Sequence, residues 1–251
     1  MRAKLSVTII TLDEEEVIGP CLESVRWADE IVICDSGSRD KTLEICRQYT
    51  DRIYVDEWRG FGAHKNLCLD RASHPWVLSL DADERVTPGL RSAIEGVLQD
   101  EGALDGYYIP RKSFFLGRWV RYCGWYPDYV LRFFQKEKGR FKEKVVHEGV
   151  EVQGRVGHLQ EPLEHHTYCS ITDYLQRMDR YSSLQAEELH RSGRRASPWD
   201  LLLRPPFTFF KMYLLRGGFL EGWRGLLLSG LYAFYTFAKY AKLWEIKSKI
   251  S

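Results

Sequence analysis

The stretch Leu5-Ser6-Val7-Thr8-Ile9-Ile10-Thr11-Leu12-Asp13-Glu14 decides the fold class. Its first seven residues carry no charge and are rich in β-branched side chains, the composition of a buried strand. It then breaks off into Asp13-Glu14-Glu15-Glu16. Working outward, residues 14–25 read as a helix and Glu30-Ile31-Val32-Ile33-Cys34 as a second strand. Ser38-Arg39-Asp40 is placed to cap a helix over 41–49, and 52–56 reads as a third strand. A helix over 62–72, the strand Trp76–Leu80 and a helix opened by Thr87-Pro88 continue the alternation. Strand and helix in turn predict an α/β fold with a mainly parallel sheet flanked by helices.

Beyond residue 105 the pattern shortens. Strands are expected over 106–110, 113–119 and 129–134, with a hairpin across 140–160. Residues 170–191 return to helix, with Tyr174, Met178, Tyr181 and Leu184 at helical spacing, and Gly193–Pro198 reads as a hinge. The expected division is a domain over 1–193 and a tail over 194–251.

Composition supports that division. The chain of 251 residues has a net charge of +1 and 28% charged residues, which excludes a disordered chain and a polytopic membrane protein. Residues 1–193 hold 26 basic and 32 acidic side chains, whereas 194–251 hold 10 basic and 3 acidic. The tail also carries 13 of the 34 aromatics. An overall balance near neutrality gives no argument for a nucleic acid partner. The six cysteines show neither CxxC pairs nor zinc-ligand spacing, and Leu5–Ile10 is too short for a signal peptide. The expected compartment is the reducing cytoplasm.

In an open parallel sheet, ligands bind outside the carboxyl ends of the strands. Here those ends read Thr11-Leu12-Asp13-Glu14, Asp35-Ser36-Gly37-Ser38-Arg39-Asp40 and Asp81-Ala82-Asp83-Glu84. Like charges gathered on one rim call for a cation or for hydroxyl donors. Asp81 and Asp83 suit a hard divalent ion that a ligand's phosphates also hold. Asp35 and Ser36 suit the hydroxyls of a ribose or the polar edge of a base. Helix capping is the alternative role for any one of these aspartates. Gly60-Phe61-Gly62-Ala63-His64-Lys65 lacks the third glycine of a dinucleotide fingerprint, and no P-loop occurs, so a dehydrogenase or P-loop NTPase is disfavoured.

Four segments in this order, Thr8–Glu15, Asp35–Thr42, Gly60–Asn66 and Leu80–Glu84, resemble glycosyltransferase family 2, the inverting enzymes of GT-A fold. The branch most resembled comprises bacterial lipopolysaccharide core glucosyltransferases acting on inner-core heptose. The motifs span roughly residues 5–160. Asp13 departs from the Asn common in the family, and His64 stands where Gln is frequent.

The resemblance implies that Thr11, Asp13, Asp35, Ser36 and Lys65 hold a nucleotide-sugar donor, expected to be UDP-glucose. It also implies that Asp81 and Asp83 bind Mg²⁺ or Mn²⁺, the cofactor that bridges the diphosphate. An inverting transfer needs a base for the acceptor hydroxyl. The family places an Asp after the metal motif, which points to Asp128. If 124–132 is extended, Asp128, Val130 and Arg132 share a face, and Arg132 is positioned to contact phosphate or orient the aspartate. Trp125 and Tyr126 are candidates for stacking on a sugar. His147 is a candidate third metal ligand or diphosphate contact, with Glu148 as its orienting partner. His165 and His166 read as structural or surface residues.

The uncharged run Gly225–Ala238 is shorter than the roughly 20 residues a spanning helix needs. Basic and aromatic residues flank it, which suits a helical element lying on an anionic inner leaflet. Packing against protein is the alternative. The reading is therefore a cytoplasmic, peripheral hexosyltransferase acting on a lipid-linked glycan acceptor. A transferase acting on a polyprenyl-phosphate carrier and a non-catalytic sugar-nucleotide-binding scaffold are its rivals.

Overall fold

The computed structural model describes residues 2–142 and 149–248. In chain order the first elements are β1 (Leu5–Thr11), α1 (Ile18–Ser24), β2 (Glu30–Asp35), α2 (Thr42–Cys46), β3 (Ile53–Val55), α3 (Phe61–Arg71), β4 (Trp76–Asp81), β5 (Glu84–Val86) and α4 (Pro88–Gln99). There follow β6 (Gly106–Phe115), β7 (Arg118–Trp119), β8 (Asp128–Gln135), β9 (Gly139–Phe141), β10 (Val150–Val152), β11 (Val156–His158) and β12 (Leu163–Tyr168). The rest is helical: α5 (Ile171–Arg191), α6 (Pro198–Phe210) and α7 (Trp223–Ser248). A π-helical turn over Lys211–Leu215 and a 3₁₀ turn over Gly218–Glu221 link α6 to α7.

These elements form two compact units, residues 1–112 with 128–166 and residues 113–127 with 167–251. The division at 193 read from composition falls inside the second unit. Its signal was a change in charge, and the packing boundary follows the apolar contacts of α5 instead.

In the first unit the strand order is β3-β2-β1-β4-β8-β6-β12-β5. The strands β1, β2, β3 and β4 run parallel, whereas β8 is antiparallel to β4 and to β6. All seven residues of β1 are buried, as a strand covered on both faces requires. Its Leu5, Val7 and Ile9 join Leu22 of α1, Leu78 and Leu80 of β4, and Leu90 and Ile94 of α4 in the main core. Each such side chain contributes about 1.5–3 kcal/mol on burial. Thr87 caps α4 by accepting from the Leu90 amide, with Pro88 at the first turn, as its sequence indicates.

The first two helices are shorter than expected, and the hairpin narrows to the β9–β10 pair, where Phe141 faces Val150. Strand β5 was not anticipated. Three residues between a turn and a helix start are too few for periodicity to reveal.

The second unit has its own core. Phe115, Val120 and Cys123 pack with Tyr174 and Met178 of α5 and with Met212 and Leu228. The uncharged run within α7 mostly faces this core, through Leu227, Leu228, Leu231, Tyr232, Tyr235 and Ala238. The segment 225–238, read as the lipid-facing element, is thus largely a packed helix. Among the described residues no helix is long and apolar enough to cross a membrane.

Candidate active site

Strand order places the site. The chain runs from β1 outward to β2 and β3, then returns to lay β4 on the other side of β1. That reversal opens a crevice at the carboxyl ends of β1 and β4. Register brings Thr11 beside Asp35 and Ile10 beside Asp81, so the strand ends picked from sequence share one rim.

The Asp35 end is a built loop. The buried Asp35 accepts through Oδ1 from the Gly37 and Ser38 amides, both at 2.8 Å, and through Oδ2 from the Ser38 hydroxyl. Gly37 has φ +96°, which the turn needs and glycine supplies without strain. Asp13 has φ +53°, a region that Asn and Asp tolerate best among non-glycine residues. The conformation therefore accommodates the exchange of Asn for Asp. Asp13 accepts from the Arg39 amide at 2.7 Å and its own amide donates to Ser38 Oγ at 2.9 Å, clasping the two loops. Its observed role is to fix the rim. Thr11 Oγ1 is buried with no hydrogen-bond partner among the described residues. A buried hydroxyl left unsatisfied at a strand end invites a ligand.

Ser36 and the fully buried His64 of α3 meet at 3.0 Å between Oγ and Nε2. Burial pushes the His64 imidazole below its ordinary value, so it is neutral at pH 7. Trp58, 37% exposed, leans over it with ring centroids 5.3 Å apart.

Lys65, Asp81 and Arg132 come together as a charge cluster. Lys65 Nζ lies 2.8 Å from Asp81 Oδ1, and Arg132 Nη2 binds Asp81 Oδ2. Arg132 also donates to Glu84 Oε1 at 2.9 Å, and Glu84 Oε2 accepts from the Asp81 amide at 2.9 Å. Burial alone would raise the Asp81 pKa. Arg132 and then Lys65 outweigh it and hold the carboxyl well below the usual range. Both Asp81 oxygens thus face the protein's own cations. Asp83, the second carboxylate of the motif, is buried beside this cluster. Arg132 is buried and binds Asp81 and Glu84, and the expectation that it orients Asp128 is corrected, because Asp128 pairs with Arg111 instead.

Asp128 opens β8 opposite Arg111 of β6. Arg111 donates to Asp128 Oδ2 from Nε at 2.9 Å and from Nη2 at 2.5 Å, and its Nη1 lies 3.8 Å from Glu84. The candidate base is therefore held by a residue that sequence reading did not select. The chain Lys65–Asp81–Arg132–Glu84–Arg111–Asp128 alternates in sign from one end to the other.

Asp83 Oδ2 lies 3.5 Å from His165 Nε2, and the Asp83 carbonyl accepts from the His166 amide at 2.9 Å. Antiparallel pairing of β12 with β5 sets His165 opposite Glu84. His165, read from sequence as a structural or surface residue, thus lies beside the acidic motif. Among the described residues no three His, Cys, Asp or Glu side chains form a closed metal cluster. A sugar-nucleotide metal takes one or two protein donors and completes its shell from phosphates and water, so Asp83 with His165 fits the ion's chemistry. His147 and Glu148 lie outside the described residues.

The comparisons with known proteins agree with this geometry. The mannosyltransferase PcManGT of Pyrobaculum calidifontis, solved with GDP-Man and Mn²⁺, superposes with a TM-score of 0.56 at 15% identity, covering 98% of this chain and 88% of its own. That likeness shows the GT-A fold. A lipopolysaccharide core biosynthesis glycosyltransferase, LpsC of Rhizobium meliloti, is 32% identical over 98% of this chain and 94% of its own length. A glycosyltransferase of Rickettsia felis is 28% identical over 98% and 92% respectively. Residues 6–163 match the model of glycosyl transferase family 2, and the chain belongs to that family.

Proposed function

We propose that the protein is an inverting hexosyltransferase that moves glucose from UDP-glucose onto a lipid-linked oligosaccharide, with a lipopolysaccharide inner-core heptose as the acceptor. The observation that carries the reading is the convergence of unsatisfied Thr11 Oγ1, the Asp35 loop and the Lys65–Asp81–Arg132 cluster at the reversal point of the sheet. The 32% identity to a lipopolysaccharide core transferase supports the acceptor class.

In this reading Thr11, Ser36 and the Asp35 loop hold the nucleoside, and Lys65 stands at the diphosphate end. Asp83 and His165 would hold Mg²⁺ or Mn²⁺, which when bound neutralises charge on the departing diphosphate. Asp128 Oδ1, left open by the one-sided grip of Arg111 on Oδ2, accepts the proton as the acceptor hydroxyl attacks the anomeric carbon. Arg111 keeps that carboxylate aimed.

Thermal-shift titration with a panel of nucleotide sugars and Mn²⁺ tests the donor site, because a ligand bound only by the folded state raises its melting temperature. UDP-glucose should give the largest shift, and Thr11→Val should reduce it. No shift with any UDP-sugar would remove the donor assignment. Transfer to heptose-terminated core, set against transfer to polyprenyl phosphate, separates the two acceptor readings.

A further inference from the structure

In an ordinary surface helix the apolar stripe faces the core and the polar stripe faces water. Helix α6 turns a second apolar stripe outward. Trp199, Leu202, Leu203, Phe207, Phe210 and Leu214 recur at helical spacing and are 67%, 64%, 59%, 60%, 47% and 48% exposed. The opposite face turns inward, where Leu201 packs against the cluster of Ala186, Tyr240 and Leu243 beside a set of polar contacts. Asp200 is buried in a capping box with Ser197 and accepts from Arg204, while Thr208 meets Thr236 of α7 at 3.3 Å. The outward stripe continues around the elbow into α7 through Leu215, Phe219, Leu220 and Trp223, each at least half exposed. So continuous an exposed apolar surface is abnormal for a protein surrounded only by water.

Charge decides what covers it. Residues 194–251 hold 10 basic side chains against 3 acidic. Of the acidic ones, Asp200 is consumed by the α6 cap, and Glu221 accepts the Arg121 and Tyr122 amides at 2.8 and 2.9 Å. Arg195, Lys211 and Arg216 remain exposed along the stripe. A second copy docked on this face would oppose those cations with their own equivalents. A leaflet bearing anionic headgroups matches both the apolar stripe and its basic border.

We infer that the outward face of α6 and the α6–α7 elbow form a monotopic seat for an anionic phospholipid bilayer, with α6 lying in the plane of the interface. The uncharged run of α7 is divided: Leu227, Leu228, Leu231 and Tyr232 serve the core, whereas Leu226, Phe234 and Phe237 are exposed. The seat does not depend on the identity of the donor or acceptor sugar.

The test is co-flotation of the full chain with phosphatidylcholine vesicles, with and without phosphatidylglycerol. Wild-type protein should bind the anionic vesicles roughly tenfold or more tightly than the neutral ones, and added salt should diminish that preference. A Leu202→Glu, Phe207→Glu double variant should lose anionic-vesicle binding by a similar factor. Its melting temperature and donor-induced thermal shift should match wild type, because both positions are already solvated. The summed tryptophan emission should shift to the blue on adding anionic vesicles in wild type only, through Trp199 and Trp223. Failure of wild type to float with anionic vesicles, or undiminished flotation of the variant, would overturn the assignment. A concentration-dependent dimer abolished by the same substitutions would overturn it in favour of a second copy.

Discussion

Glu84 is fully buried and still faces three groups: the Asp81 amide, the Arg132 guanidinium and, at 3.8 Å, Arg111. Truncating it removes one of the two carboxylates that face the buried Arg132 and leaves the Asp81 amide without its acceptor. Glu84→Ala should therefore cost about 3–5 kcal/mol in a denaturant titration. Arg111 is a different case, because its partner Asp128 is well exposed and its removal leaves Arg132 paired. Arg111→Gln should lower kcat by about tenfold to a hundredfold with little change in the donor KM. Asp128→Ala should cost about 10²–10⁴-fold, and adding Arg111→Gln to it should do nothing further. An active Asp128→Ala enzyme would discard the base assignment, whereas a fully active Arg111→Gln enzyme would discard only the positioning role. His64 gives a pH signature. Its folded pKa lies below the ordinary 6.5, so as pH falls through 6.5 the unfolded chain takes up a proton that the folded protein declines. The stability it contributes is complete above that pH and drains away below it. Melting temperature measured from pH 7.5 to about 5 should fall less steeply in His64→Gln than in wild type. Parallel curves would show that His64 titrates normally. The aspartates at the strand ends were legible because a parallel strand in this fold ends at the ligand crevice. Arg111 and His165 were not, because they reach the site through sheet register, opposite Asp128 and Glu84, and no local spacing encodes an antiparallel partner.

At the scale of elements, the elbow between α6 and α7 depends on two glycines in close backbone approach. A Cβ on Gly225 would overlap the carbonyl oxygen of Gly218, and a Cβ on Gly218 would meet the Met212 carbonyl oxygen at 2.8 Å. Backbone cannot step aside as a flexible side chain can. Gly225→Ala should therefore destabilise by about 1–3 kcal/mol. Gly230 lies in the same helix with nothing within 4 Å of its Cβ position. Gly230→Ala should stabilise by up to about 1 kcal/mol through helix propensity. Equal effects at the two positions would show that propensity, not the close approach, governs the elbow. The same elbow grips the segment ahead of β8. Glu221 accepts the Arg121 and Tyr122 amides, and the Arg216 carbonyl accepts the Cys123 amide at 3.0 Å. The segment that leads into Trp125 and Tyr126, the two residues read from sequence as candidates for sugar stacking, is thus shaped by helices more than ninety residues later in the chain. Composition marked the tail as aromatic and its run 225–238 as an apolar helical element. It could not tell which apolar side chains of α6 and α7 point outward, because a moment has a direction only relative to a neighbour.

At the scale of the whole molecule, the charge contrast between 1–193 and 194–251 suggested a severable tail, and the packing argues against one. The core of the second unit joins Phe115, Val120, Tyr174 and Met178, all before residue 193, to Met212 and Leu228, both after it. Helix α5 is also tied to α7 by Lys242, which donates to the Asp179 carbonyl at 2.7 Å and to Ser182 Oγ at 2.8 Å. Composition reports which side chains a segment carries, whereas a folding unit is defined by what those side chains touch. The two disagree here because the helices that carry the basic and aromatic residues are the same helices that complete a core. A chain ending at Gly193 should therefore lose more than lipid binding. Each large side chain missing from a packed core costs about 2–5 kcal/mol, and this truncation removes several at once, against a total stability of about 5–15 kcal/mol. The shortened protein should aggregate or bind hydrophobic dye, lose its near-ultraviolet dichroism, and show no transferase activity even on a water-soluble acceptor. The Leu202→Glu, Phe207→Glu variant should keep all of these properties and lose only its hold on vesicles. If the truncated chain were monomeric, cooperative in its unfolding and active on the soluble acceptor, residues 194–251 would be an appendage after all. The second unit would then owe its fold to the first 193 residues alone.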